Sequence, residues 1–262
     1  MSALRRITDH LDRNLEVPFS IDRVISVVPS LTELLFSLGL ERQISAITKF
    51  CIHPKELVSG YRKIGGTKNL QVSTILDLNP QLIIANKEEN DRQQINQLAE
   101  KVPVWVSDIQ DLPQALKAVR EIGLLVNREA VAGKLLSEIK KRFQTLPVMR
   151  TPPRALYMIW RKPFMAVGVD TFIHNMMTLA GLENVLKVKR YPELSMDDLL
   201  TLDPQVILLS SEPYPFHYRH IEEVQDSFPS AKVLLVDGEM FSWYGSRLLK
   251  VPAYFQSLRD RL

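Results

Sequence analysis

Aromatic and basic side chains sit side by side at three places: Trp160-Arg161, Arg190-Tyr191, and Phe241 with Trp243, Tyr244 and Arg247. Rings of this size stack on a planar macrocycle or a catecholate at little entropic cost. Guanidinium groups pair with carboxylates or phenolates through two parallel hydrogen bonds, and Lys68 adds a further cation. A separate pair, Cys51 and His53, offers a thiol and an imidazole, both good donors to iron or cobalt. Along an extended loop, alternate residues point the same way. Each group also has a plainer reading: Trp160 and Phe241 as core, the arginines as solvated or salt-bridged, and Cys51 as a small buried hydrophobe. His10, His174, His217 and His220 have no partner at metal-ligand spacing. The chain has no GxSxG, no Walker loop, no GxGxxG after a strand and no HExxH, so no enzyme class is indicated. Asp197 and Asp198 are adjacent on an expected helix and do not converge as an acid/base pair.

The elements that must position these groups alternate strand and helix. Arg23–Leu40, RVISVVPSLTELLFSLGL, reads as a strand covered on both faces, then a helix. Ser30 and Glu33 have the spacing of a capping box, Leu31, Leu34, Leu35 and Leu38 form the apolar stripe, and Gly39 is the stop. Strands are expected at 44–48, 82–85 and 102–106, short helices at 54–58 and 72–78, a helix start at 87–92 and a Gly65-Gly66 loop over 63–69. Residues 8–18 read as a hairpin at the sheet edge. From Asn127, taken as an N-cap, Val131, Leu135, Ile139 and Phe143 recur every four residues. They predict one helix of about 20 residues and 30 Å, enough to join two lobes. A second lobe follows: strands at 154–160, 165–169, 206–209 and 232–236, and helices at 171–180, after Ser195 with Asp198, at 217–228 and at 246–262. LDLNPQLI at 76–83 recurs as LTLDPQVI at 200–207, and SLGLE at 37–41 as LAGLE at 179–183, so an internal duplication is indicated. The expected fold class is α/β, with two Rossmann-like lobes of mostly parallel sheet. These cover 1–110 and 151–262, with a helical segment at 111–150 between them.

Composition narrows the function. At 262 residues, with 45% hydrophobic and 24% charged side chains and a net charge of +3, the chain is an ordinary globular one. It has no basic block and no interleaved aromatic motif for nucleic acid. No run reaches the ~20 apolar residues a membrane span needs. MSALRRITDHLDRN has no apolar signal core, so a cytoplasmic protein is expected from the sequence as it stands, or a periplasmic one if a leader was removed. The single cysteine excludes an intrachain disulfide and a cysteine-based zinc site.

RVISVVPSLTELLFSLGL, followed by NPQLIIA and opened by TDHLDRNLEVP, resembles the class III substrate-binding proteins of ABC importers, the helical-backbone metal receptors. The resemblance implies two rigid lobes, a shallow cleft and a ligand of the corrinoid, haem or ferric-siderophore class, with no intrinsic cofactor. It also implies work with an ABC permease, and a monomer is expected. In this register the aromatic positions of the cobalamin-binding members fall on Phe50, Thr67 and Tyr191, and Thr67 departs from the aromatic type. The rim would also draw on His53, Lys68, Trp160, Arg161, Arg190, Trp243, Tyr244 and Arg247, with Cys51 and His53 as the metal-facing pair. The acidic residues that meet the permease would be Asp197 and, in the first lobe, the position held by Ser73. The alternative reading is a cytoplasmic enzyme or chaperone of tetrapyrrole or metal metabolism, or an interaction module on the same scaffold.

Overall fold

The computed structural model describes residues 4–262. The chain forms two compact units. The first reaches to Asp108 and takes in Gln114–Glu138 and Tyr244–Ser246, while the second comprises Ile109–Pro113, Ile139–Trp243 and Arg247–Leu262.

The first unit opens with a hairpin, β1 (Leu4–Thr8) and β2 (Asn14–Pro18), followed by β3 (Val24–Ser26), α1 (Pro29–Ser37) and β4 (Ile44–Ile47). Next come α2 (Lys55–Val58), a small hairpin of β5 (Gly65–Gly66) and β6 (Asn69–Leu70), and α3 (Val72–Asp77). The unit's sheet is completed by β7 (Leu82–Asn86), α4 (Arg92–Ala99) and β8 (Val104–Ser107); α5 (Leu112–Leu125) follows, then α6 (Glu129–Gln144). The sheet order is β4-β3-β7-β8, all parallel. Every residue of β3, β7 and β8 is buried, which is why these strands read as unbroken apolar runs. Ile25, Ile83, Ala85, Val104 and Val106 face Ile64, Ile75, Ile95 and Leu98 in one core.

The second unit contains β9 (Arg154–Trp160), β10 (Phe164–Ala166), α7 (Phe172–Leu179), β11 (Glu183–Asn184), β12 (Glu193–Leu194) and α8 (Met196–Thr201). It continues with β13 (Val206–Ser210), α9 (Tyr218–Ser227), β14 (Lys232–Val236), α10 (Glu239–Ser242), a 3-10 turn at Ser246–Leu249 and α11 (Val251–Arg259). Its sheet runs β12-β10-β9-β13-β14, with β11 also on β9. β9, β13 and β14 are parallel, and β10 is antiparallel to β9.

The duplication read in the sequence is a duplication of local geometry. Asn79 and Asp203 both take left-handed φ, 46° and 43°, at the ends of α3 and α8. One residue beyond the following proline, Gln81 Oε1 accepts from Arg23 N at 3.0 Å and Gln205 Oε1 accepts from Arg154 N at 2.9 Å, tying the head of β7 to β3 and of β13 to β9. Gly39 and Gly181, at φ 76° and 81°, end α1 and α7 with the same pair of backbone bonds.

Several elements differ from expectation. Pro29, with φ already fixed for a helix, is the first residue of α1, so Val28 is the cap and Ser30 lies inside the first turn, where it does not cap. Val28 O is instead held by Thr32 Oγ1 at 2.9 Å. Asn127 is a stop and not a start: at φ 55° it ends α5, its N–H donating to Leu124 O at 3.2 Å, and the one helix expected from it is α6, which begins at Glu129. α6 has 16 residues, about 24 Å. Its buried stripe is Ala132, Leu136 and Ile139, with Val131 exposed, because Gly123 of α5 lets Ala132 come so close that a Cβ at 123 would lie 2.4 Å from it. The terminal helix is broken, since Pro252 has no N–H for an earlier turn and starts α11 instead. The hairpin β1-β2 is a sheet of its own and not the edge of the larger one. It is pinned by Asp9, which accepts from Arg13 and from Val106 N, and by His10, whose Nε2 meets Glu121 at 2.7 Å.

Burial works to lower the His10 pKa, but the Glu121 carboxylate and the Asp108 carbonyl outweigh it and the net shift is upward. The stabilisation from this pair is therefore complete below the unfolded value of about 6.5 and is lost as pH rises through the folded value. Chemical denaturation of the wild type and Glu121→Gln should show a stability gap at about pH 5.5 that narrows by about pH 8.5. A gap independent of pH would contradict this.

Candidate functional site

Parallel strands buried on both faces end along one edge, and the loops that leave it are where polar side chains collect. In the first unit that edge is built from the segments after β3, β4, β7 and β8. Cys51 is 2% exposed there and holds the exit of β4 to the start of α1: its thiol bonds Thr32 Oγ1 at 3.3 Å and Thr48 Oγ1 at 3.2 Å. Burial pushes its pKa up, against the pull of those two hydroxyls, so the group is a protonated thiol at neutral pH. His53 is half-buried, and Phe50 is 51% exposed with the Lys49 ammonium 5.0 Å from its ring centroid. Among the described residues no group of three or more His, Cys, Asp or Glu side chains is placed to hold a metal ion.

The β5-β6 hairpin presents Thr67 and Lys68. Gly65 is required for it: at φ 93° an added Cβ would lie 2.3 Å from Asn69 O. Lys68 Nζ bonds the carbonyls of Glu88 at 2.6 Å and Asn90 at 3.3 Å. Asn90 holds the edge together, since its Nδ2 donates to Val27 O and to Thr67 O, both at 3.1 Å, while its Oδ1 accepts from Asn86 N at 2.8 Å. This buried clamp was masked in the sequence by its charged neighbours in KEENDR, which read as a solvated helix start. α4 starts only at Arg92, capped by Asp91. Tyr244 is also buried within this unit, its hydroxyl beside those of Ser107 and Ser30, and desolvation raises its pKa well above an ordinary phenol. It is an interior residue and not an open stacking surface.

In the second unit the expected site residues fall into three places. After β9, Trp160 is 38% exposed, edge-on to Tyr214 at 5.7 Å, and Arg161 is paired to Glu223 of α9 at 2.5 Å. Arg190 and Tyr191 lie beyond β10, at the level of Gly168 and Val167, where Gly168 N donates to Arg190 O at 2.7 Å. The Arg190 guanidinium lies 5.5 Å over the Tyr191 ring, and its backbone N–H donates to Asp170 Oδ1 at 2.9 Å. After β14, Trp243 and Arg247 are buried: Arg247 pairs with Glu239 at 2.8 Å and stacks 5.0 Å over Trp243, while Glu212 accepts from the Trp243 indole. Burial raises the Glu212 pKa, and Ser242 Oγ donates to it at 2.5 Å. Phe241 is core, between Tyr157 and Phe255. Glu212 and Glu239 gave no sign in the sequence, because nothing local shows that an arginine several residues away needs a carboxylate.

The groups left open for stacking are thus Phe50 in one unit and Trp160 and the half-buried Tyr191 in the other. Asp197 and Ser73 are both exposed in the first turns of α8 and α3, and 197 minus 73 gives 124, the offset of the duplication.

The chain is thus built of two α/β units with aromatic side chains in the loops at strand ends. The sequence profile of the periplasmic binding protein family matches residues 24–230, and the chain belongs to that family. The vitamin B12-binding protein of Yersinia pestis is 26% identical over 195 residues, 72% of this chain and 69% of the relative. The fold is shared with the periplasmic haem-binding protein of Pseudomonas aeruginosa (TM-score 0.77, 18% identity, 91% and 92% of the two chains). It is shared too with the vitamin B12-binding protein of Vibrio cholerae (TM-score 0.71, 19% identity, 93% and 100%). The family is one of substrate-binding transport proteins, so this chain is a binding protein and not an enzyme, and the alternative of a tetrapyrrole-handling enzyme is set aside. No helix among the described residues is long and apolar enough to cross a membrane.

Two outcomes check this geometry. Gly65→Ala should cost about 2–3 kcal/mol, because its Cβ meets backbone. Gly66→Ala, whose Cβ meets only the tips of Phe50 and Lys49, should cost under about 1 kcal/mol while moving the Phe50 ring; thermal unfolding of the pair separates the two cases. Native Cys51 should react with iodoacetamide at least about a hundredfold more slowly than in the unfolded chain. Equal rates would remove the buried-thiol assignment.

Proposed function

We propose that the protein captures a metal-chelate ligand of the corrinoid, haem or ferric-siderophore class and delivers it to an ABC permease, acting in the periplasm. The observation that carries this reading is the family match across residues 24–230 with a vitamin B12-binding protein among the relatives. The exposed rings of Phe50 and Trp160 and the half-buried Tyr191 support it, since a flat macrocycle or catecholate is bound by faces. So does the cation-stacked Arg190, which brings positive charge next to an aromatic ring as an anionic chelate requires. Asp197, exposed on α8, is the group we assign to the permease contact. The protein has no intrinsic cofactor in this reading, and a metal reaches it inside the ligand.

Absorbance titration with cyanocobalamin, hemin and a ferric hydroxamate should give saturable binding of one of them with a Kd of about 1 μM or tighter. Phe50→Ala and Tyr191→Ala should each weaken it about tenfold, or 1.4 kcal/mol, with Tm little changed. Trp243→Ala should instead lower Tm, because its ring packs under Arg247. No binding of any of the three up to about 100 μM would overturn the reading. Recovery of the native protein in the cytoplasmic fraction would overturn the compartment.

A further inference from the structure

The second unit contains a cavity of about 230 Å³ on the face of its sheet covered by α8 and α9. Its wall is Met158, Phe164, Leu199, Phe216, Val224 and Phe228, and Met196 lies at its rim, 37% exposed. The polar groups that reach it are already engaged with one another. Arg161 is paired to Glu223, while the His220 ring accepts from His217 N at 2.8 Å and meets Tyr214 OH at 3.3 Å. The pocket is partly open to solvent at the Met196 rim, and its apolar wall favours an apolar occupant, as an enclosed apolar cavity of about 150 Å³ takes up benzene.

We infer that this cavity is a second binding site, for a small neutral aromatic molecule of up to bicyclic size. Volume sets the upper limit, since 230 Å³ exceeds the benzene-binding cavity by about half. The wall chemistry selects aromatics: three phenylalanines offer ring edges and two methionines offer sulfur, which prefers the rim of a ring at about 5 Å. The largely apolar wall disfavours charged ligands, and the Arg161 guanidinium at its edge is already paired with Glu223. Leu199 and Met196 belong to α8, a helix of only six residues, so an occupant braces that helix. The inference does not depend on the transport reading and involves none of the residues assigned to the chelate.

The probe is indole, titrated into the full chain carrying methyl-labelled methionine, with Met158→Leu and Met196→Leu used to assign the two signals. The expected result is a saturable shift of the Met158 and Met196 methyls at about millimolar indole or below, with the other six of the eight methionines unmoved. Leu199→Phe, which fills the cavity, should weaken the shift at least about tenfold. Val224→Phe serves as the second filling variant if the first does not fold. Absence of any shift at these two methyls up to about 5 mM, or unchanged affinity in a folded filled variant, would overturn the site.

Discussion

The structure depends on one constraint: the parallel strands of each unit are covered on both faces and can carry almost nothing but apolar side chains. Ile25, Ile83 and Val104 in one sheet and Leu156, Ile207 and Val233 in the other keep mid-strand positions apolar, with Tyr157 of β9 buried and its hydroxyl donating to Ser210 Oγ at 3.1 Å. Polar chemistry is therefore driven to the loops after the strands. Because parallel strands end along one edge, those loops are neighbours without being close in sequence.

Loops placed in this way need internal ties, and each unit supplies them with buried polar side chains. Asn90 holds two loops by their carbonyls, Cys51 bridges two threonines, and Arg247 is locked between Glu239 and Trp243. A buried arginine with its carboxylate removed would cost several kcal/mol, so such a group belongs to the scaffold however well its type suits an anionic ligand. Tyr244 and Trp243 are interior in the same way, while Phe50, Trp160 and Tyr191 keep accessible ring surface. For a binding protein this division is useful, because rigid loops that present only a few open rings lose little entropy when a ligand arrives.

The two units solve the same local problems with the same residues. A left-handed Asn or Asp before Pro, then a Gln that receives the N–H of the neighbouring strand's first residues, sets the register of β7 on β3 and of β13 on β9. The bond is worth about 1 kcal/mol, but its position fixes which residues reach the edge. The recurrence at an interval of 124 also places Ser73 and Asp197 at corresponding points of α3 and α8, one neutral and one acidic.

What the sequence alone determined was everything written in short-range pattern. Strand and helix order, the Gly39 and Gly181 stops, the Ser195–Asp198 capping box and the tight turn at Gly65 rest on residues within about ten positions of one another, and the duplication is two such short patterns met again in the second half of the chain. The opening cap and Asn127 were misread because two signals overlapped and the stronger one won: a proline fixed for the first helical turn, and an asparagine able to take a positive φ. Which rings are open and which arginines are neutralised was decided only by the tertiary structure. Trp160 and Trp243 look alike in sequence, as do Arg161, Arg190 and Arg247. Their burial and their partners, Tyr214 and Glu212 for the tryptophans, Glu223 and Glu239 for Arg161 and Arg247, and the Tyr191 ring for Arg190, are set by the tertiary fold, and the energy of a charged or aromatic side chain depends on those neighbours more than on its own type.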